Sequence, residues 1–197
     1  MTVPQFFSDA PVDNTARDDL DHETIRRVVW RLLLDLAVSP ADAVVRAADT
    51  VTVDELTLLA PASGALYGLM VQVAETGQNP DAVTLLSAAL AAGRFNGPGG
   101  DQLHHVLITL AGATGEALRL PTSLRGVLAL VVRSRAAALG HALATNAAVA
   151  GEADLTAFAT RDAAELLAQI GRLEAYDRSR GVYVEPAAEL VARKAAA

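Results

Sequence analysis

With 197 residues, 52% of them hydrophobic and only 4% aromatic, the chain can bury a moderate core, and that core must be built from Ala, Leu and Val. Such a composition suits closely packed helices rather than a sheet, where β-branched and aromatic residues would lead. The net charge of -7 argues against bulk attraction to nucleic acid or anionic membrane, and the lack of cysteine excludes disulfides, thiolate metal sites and a Cys nucleophile.

Residues 1–20 mix Pro, Asp and Asn around a Phe6-Phe7 pair and read as a poorly ordered arm, with the pair either docking on the core or binding a partner. No basic region follows Met1, and the longest uninterrupted apolar run, Val127 to Val132, is too short to span a bilayer. The expectation is therefore a soluble, cytoplasmic protein with no membrane partner.

Asp21 reads as a helix cap with Leu20 stapled onto Ile25, opening a globular helical domain over residues 21–119. Ile25, Val28, Val29, Leu32, Leu33 and Leu36 follow helical spacing in the first helix. Ser39-Pro40-Ala41-Asp42 reads as a capped start for a second helix, and Thr52-Val53-Asp54-Glu55 as a start for a short third. Pro61 opens a central helix in which Tyr67 faces the core with its hydroxyl near a polar edge, and Gly77 stops it. Asn79-Pro80-Asp81 starts the next helix, Gly93 ends it, and a glycine-rich loop leads to a cap at Asp101. That last globular helix turns Leu103, Val106, Leu107 and Leu110 inward and closes at Ala113-Thr114-Gly115.

Pro121-Thr122-Ser123 begins the longest helical pattern, running to about Ala148, and Asp154 reads as the cap of a return helix after a tight connection. Two long helices joined by so short a link must lie antiparallel. The fold class is thus all-α: a compact multi-helix domain followed by a long antiparallel helical hairpin over residues 120–178. A tail over residues 179–197 completes the chain, with a helical turn or two after Pro186.

Tyr67, Gly77, Asp81, Val83-Thr84, Gly93 and Gly99-Gly100 fall at spacings that resemble the N-terminal helical domain of DnaB-type replicative DNA helicases. Val131-Val132-Arg133-Ser134-Arg135-Ala136 is similar to the opening of that family's hairpin, so the likeness runs from about Ile25 into the second hairpin helix. Ser63 stands where the family has His, Leu103 where it has an aromatic, and Gly115 to Pro121 reads as an insertion. The resemblance implies a collar module in DNA replication that assembles with itself and docks a replicative helicase, primase or loader protein. In the family, the hairpins pair two by two.

The family's motor is absent from this sequence. A phosphate-binding loop needs a glycine-rich turn ending in Lys-Ser/Thr, and the single lysine, Lys194, is followed by alanines and preceded by no glycine. Gly97-Pro98-Gly99-Gly100-Asp101 follows no strand and carries an aspartate that repels phosphate. His104 and His105 are adjacent and point to different faces of a helix, and no Glu-x-x-His pair occurs. The expectation is a non-catalytic protein without cofactor or metal.

Two interaction surfaces are expected on the hairpin. Val127, Val131, Arg135, Leu139 and Ala142 read as an apolar strip left over for self-association into a dimer or higher oligomer. Arg119, Arg125 and Arg133 give the hairpin's start a positive cast, suited either to weak phosphate or acidic-partner contact or to salt bridges with Asp162, Glu165 or Glu174. The alternative function is a helical regulator with a small-ligand pocket, unrelated to replication.

Overall fold

A computed structural model describes residues 15–96, 99–147 and 150–181, with side chains from His22 onward. Phe6-Phe7, Gly97-Pro98, Lys194 and the expected helix after Pro186 lie outside the described residues. Those residues form eight α-helices and no strand: α1 (Thr15–Ala37), α2 (Ala41–Thr50), α3 (Val53–Leu59), α4 (Pro61–Glu75), α5 (Ala82–Ala91), α6 (Gly100–Ala111), α7 (Leu120–Asn146) and α8 (Glu152–Ser179).

Local chemistry accounts for most of the boundaries. Thr52 and Glu55 form a reciprocal capping box at the start of α3, and Pro61 occupies the first turn of α4, where its missing N–H costs nothing. The Asp81 carboxylate accepts from the N–H groups of Val83 and Thr84 at 2.9 and 3.0 Å. The Thr84 N–H, then the Thr84 hydroxyl donating at 2.8 Å, hold its pKa below the ordinary aspartate value. Gly77 and Gly93 adopt φ of 80° and 63°, the left-handed conformation that ends α4 and α5.

Four expected starts differ. α1 spans Thr15–Ala37, so Asp21 lies inside the helix rather than at its start. Ser39 does not cap α2; its hydroxyl donates to the Asp35 carbonyl at 2.6 Å, while the Ala41 N–H is received by Asn79 Oδ1 at 3.0 Å. Gly99, at φ 86°, precedes α6, leaving Asp101 inside the first turn. Gly151 precedes α8, so Asp154 likewise lies within the first turn rather than at the cap.

The core gathers around α4. Leu66, Tyr67 and Met70 are fully buried there, against Leu32, Leu33 and Leu36 of α1, Val44 of α2, Leu56 of α3 and Leu85 of α5. Tyr67 donates its hydroxyl to the Val51 carbonyl at 2.8 Å, which satisfies the one polar atom the ring carries inward.

The first half of α7 closes this core. Leu120, Leu124, Val127, Leu128 and Val131 are buried, and α7 packs on α1, α3 and α8. The stretch Ala117–Asn146 is also long and apolar enough to cross a membrane by length and composition, its most apolar 18-residue window having a mean hydropathy of 1.4, which the shorter run at Val127 to Val132 did not signal. Only 22% of that window is buried, so packing within this chain covers a minority of it. Beyond Val131 the pattern changes: among the described residues from Val132 to Tyr176, none is fully buried.

Candidate functional site

Polar contacts concentrate where α7 and α8 meet the globular part, and three of them act as clamps. Asp35, fully buried at the end of α1, accepts from the Ser123 hydroxyl at 2.6 Å and from the Glu116 N–H at 2.9 Å. Arg31 lies 3.3 Å from the same carboxylate, so the buried charge has a countercharge as well as donors. Gly115 passes directly over this node: a Cβ there would stand 1.9 Å from the Leu34 carbonyl oxygen. The segment read from sequence as an insertion is therefore the strap that seats α7 on α1.

The second clamp joins α7 to α8. Arg125 grips Asp177 through two parallel bonds of 2.7 and 2.9 Å, and Asp177 is almost entirely buried. The hydrogen bonds to that carboxylate, followed by its charge, raise the Arg125 pKa. The neighbouring Tyr176 donates to the Pro121 carbonyl, one turn before Arg125, at 2.9 Å.

The third clamp ties α8 to α2 and α3. Arg172 donates to Glu55, to the Gln169 side chain at 2.6 Å and to the Thr50 carbonyl at 2.6 Å. Burial alone would raise the Glu55 pKa, but the Arg172 bond and the Thr52 N–H outweigh it and hold the carboxyl below its ordinary value.

These clamps absorb several of the expected surface residues. Arg125 is committed to Asp177, and Arg119 meets Glu116 at 2.7 Å. Arg135 reaches Glu165 at 3.0 Å, the interhelix alternative, whereas Asp162 is paired with Arg161. Arg133 is exposed. The self-association strip also needs correction: Val127 is 0% and Val131 4% exposed within the single chain, and Val127 belongs to the main core. Leu139 and Ala142 are only part-buried.

Sequence reading missed a groove along α1. Its apolar lining comes from Ile25 and Trp30 of α1, Leu59 at the end of α3 and Val106 of α6, and it encloses about 740 Å³. His22, Arg26, Arg27 and His105 stand around it. Trp30 was a visible signal, since a lone tryptophan is large and seldom left bare, but its neighbours from α3 and α6 could not be read from local spacing. Elsewhere, Val83 and Leu90 leave α5 with an exposed apolar side, 75% and 62% accessible. Among the described residues no group of three or more His, Asp or Glu side chains is placed to hold a metal ion.

No family model matches this chain, and neither a curated protein nor a solved structure matches it significantly.

Proposed function

We propose that this chain is a non-catalytic interaction and oligomerisation module related to the N-terminal collar of DnaB-type replicative helicases. It acts in DNA replication, in the cytoplasm, by binding the helicase, primase or a loader, and it uses no cofactor. In this reading a compact helical domain carries an antiparallel hairpin over residues 120–178, which serves as the assembly arm. The observation that supports the reading most is the pair of long helices continuing past the core with no fully buried residue from Val132 to Tyr176 among those described. Helices of that length are not marginal additions, and an exposed apolar residue such as Leu167, 63% accessible, suits contact with another chain. Arg125 at 2.7 Å from Asp177 and Arg135 at 3.0 Å from Glu165 support the antiparallel order, since the partner number falls as the first number rises.

Light scattering on the wild type and on Leu139→Glu with Leu167→Glu tests the assembly, and capture by purified helicase, primase and loader tests the partner. The expected result is a dimer or larger species that the two charges dissociate, together with binding to one of the three proteins. A monomer that captures none of them rules the reading out.

The groove beside Trp30 favours the second reading, a helical regulator that takes a small ligand. A shift in melting temperature with an apolar anion, in a protein that binds none of the replication proteins, is the result that selects it.

A further inference from the structure

We propose that the amino-terminal segment of this same chain fills the Trp30 groove, with Phe6 and Phe7 as the inserted side chains and Asp9 and Asp13 facing Arg26 and Arg27. The inference is independent of any role in replication.

The groove has the chemistry of a socket for such a segment. Ile25, Trp30, Leu59 and Val106 line it and remain only part-buried, so its walls are apolar and still accessible. Its edge is cationic. Arg26 and Arg27 have side chains 78% and 79% exposed, and each makes only a loose pair with Glu23, at 3.9 and 3.6 Å. One carboxylate shared by two guanidiniums leaves cationic capacity for a further acid.

The segment before α1 carries the complement. Residues 1–14 contain two adjacent phenylalanines, two aspartates and no basic side chain. The carboxy-terminal segment outside the described residues, 182–197, balances Glu185 and Glu189 against Arg193 and Lys194 and has no phenylalanine. Charge therefore favours the amino-terminal segment for a cationic edge.

Length allows it. α1 starts at Thr15, and Ile25 lies ten residues further on, roughly 15 Å along the helix axis at 1.5 Å per residue. The eight residues from Phe7 to Thr15 span up to roughly 26 Å when extended, enough to reverse and reach the groove. Pro11 and Asn14 provide turn-forming residues for that reversal. Tethering supplies an effective concentration on the order of millimolar, so the contact can be weak and still be occupied.

Trp30 is the single tryptophan and lines the groove, so its fluorescence reads occupancy directly. Emission and acrylamide quenching are measured on the full chain, on a variant lacking residues 1–14, and on full-length Phe6→Ser with Phe7→Ser. Circular dichroism checks that helix content is retained. Both variants should shift the Trp30 emission to longer wavelength and raise its quenching. A peptide of residues 1–14, added at about 1 mM to match the tether, should reverse both changes in the truncated protein. Arg26→Glu with Arg27→Glu should weaken that reversal. Unchanged emission and quenching in both variants overturns the proposal. So does a shift that appears only when residues 182–197 are removed, or shielding of Trp30 that disappears on dilution together with a dimer, which would assign the groove to a second copy.

Discussion

Arg172 of α8 and Glu55 of α3, separated by 117 positions in the chain, are joined by two of the guanidinium's hydrogen bonds, while a third reaches the Thr50 carbonyl. The same Glu55 carboxylate closes the capping box at the start of α3. One side chain thus fixes a local helix start and anchors a helix from the far end of the sequence. Arg172→Ala leaves a 10% exposed carboxylate without its countercharge. Because Arg172 itself is 35% exposed, the expected cost is roughly 1–3 kcal/mol rather than that of a fully buried pair. Denaturant titration measures it.

The pH dependence follows from the same residue. Glu55 has a lowered pKa in the folded protein, so its contribution is complete above the ordinary glutamate pKa and is lost as pH falls through the lowered value. Acid titration of the wild type against Glu55→Gln should show the variant less stable at neutrality and the gap narrowing as pH falls. A constant gap would mean that Glu55 does not carry the acid sensitivity.

Tyr67→Phe keeps the ring and removes the hydrogen bond to the Val51 carbonyl, for an expected loss of about 1 kcal/mol. Tyr67→Ala also empties the space beside Leu66 and Met70 and should cost roughly 3–5 kcal/mol. Burial, with smaller contributions from Glu55 and Asp49, pushes the phenol far above its ordinary pKa. Stability from this group is intact below the ordinary tyrosine pKa and falls as pH rises beyond it. Absorbance at alkaline pH should therefore show one tyrosine ionising only as the protein unfolds.

Glycine substitutions should separate sharply by position. Gly115→Ala drives a methyl group into the Leu34 carbonyl and forces the strap off α1, at a cost of roughly 1–3 kcal/mol or more. Gly140 and Gly171 sit within α7 and α8 with nothing within 4 Å of a new Cβ, so alanine there should stabilise by up to about 1 kcal/mol. Thermal melts of the three variants decide the matter. If Gly140→Ala stabilises the fold yet weakens oligomers in light scattering, close helix approach at that glycine is part of the assembly.

Val131→Glu and Leu139→Glu, eight residues apart on α7, should fail in different ways. The Val131 carboxylate would enter a site only 4% exposed and lower the melting temperature, with a cost of several kcal/mol. Leu139 is part-buried beyond the core, so its charge should leave the globular part folded. Equal melting temperatures for the two variants would contradict the burial of Val131.

What the sequence revealed was chiefly short-range. Thr52 with Glu55, Pro61, Asp81 and the stops at Gly77 and Gly93 each act within one helical turn, so their residue types announced their roles. Ser39 misled because it has the chemistry of a cap but spends its hydroxyl on Asp35, while Asn79 reaches Ala41 across 38 positions. Periodicity marked the apolar side of α7 without saying what would cover it, which is why Val127 and Val131 looked available. The Asp35 node, the Arg125 pair and the Trp30 groove each depend on residues brought together by tertiary packing. No spacing rule along one helix announces them.

The placement of the three clamps also sets how α7 and α8 open. Arg125, Asp177, Tyr176 and Arg172 secure the ends of these helices nearest the core, whereas the turn at Ala150-Gly151 is joined by long stretches rich in alanine. Amide protons near that turn can exchange through separation of a few residues, at a small fraction of the global unfolding free energy. Those of Leu124 to Val131 must await rupture of the core itself. Protection against deuterium should therefore rise in a gradient from the turn towards Leu120, so that a partner meeting the outer end encounters a surface that can part and reclose many times before the domain unfolds once.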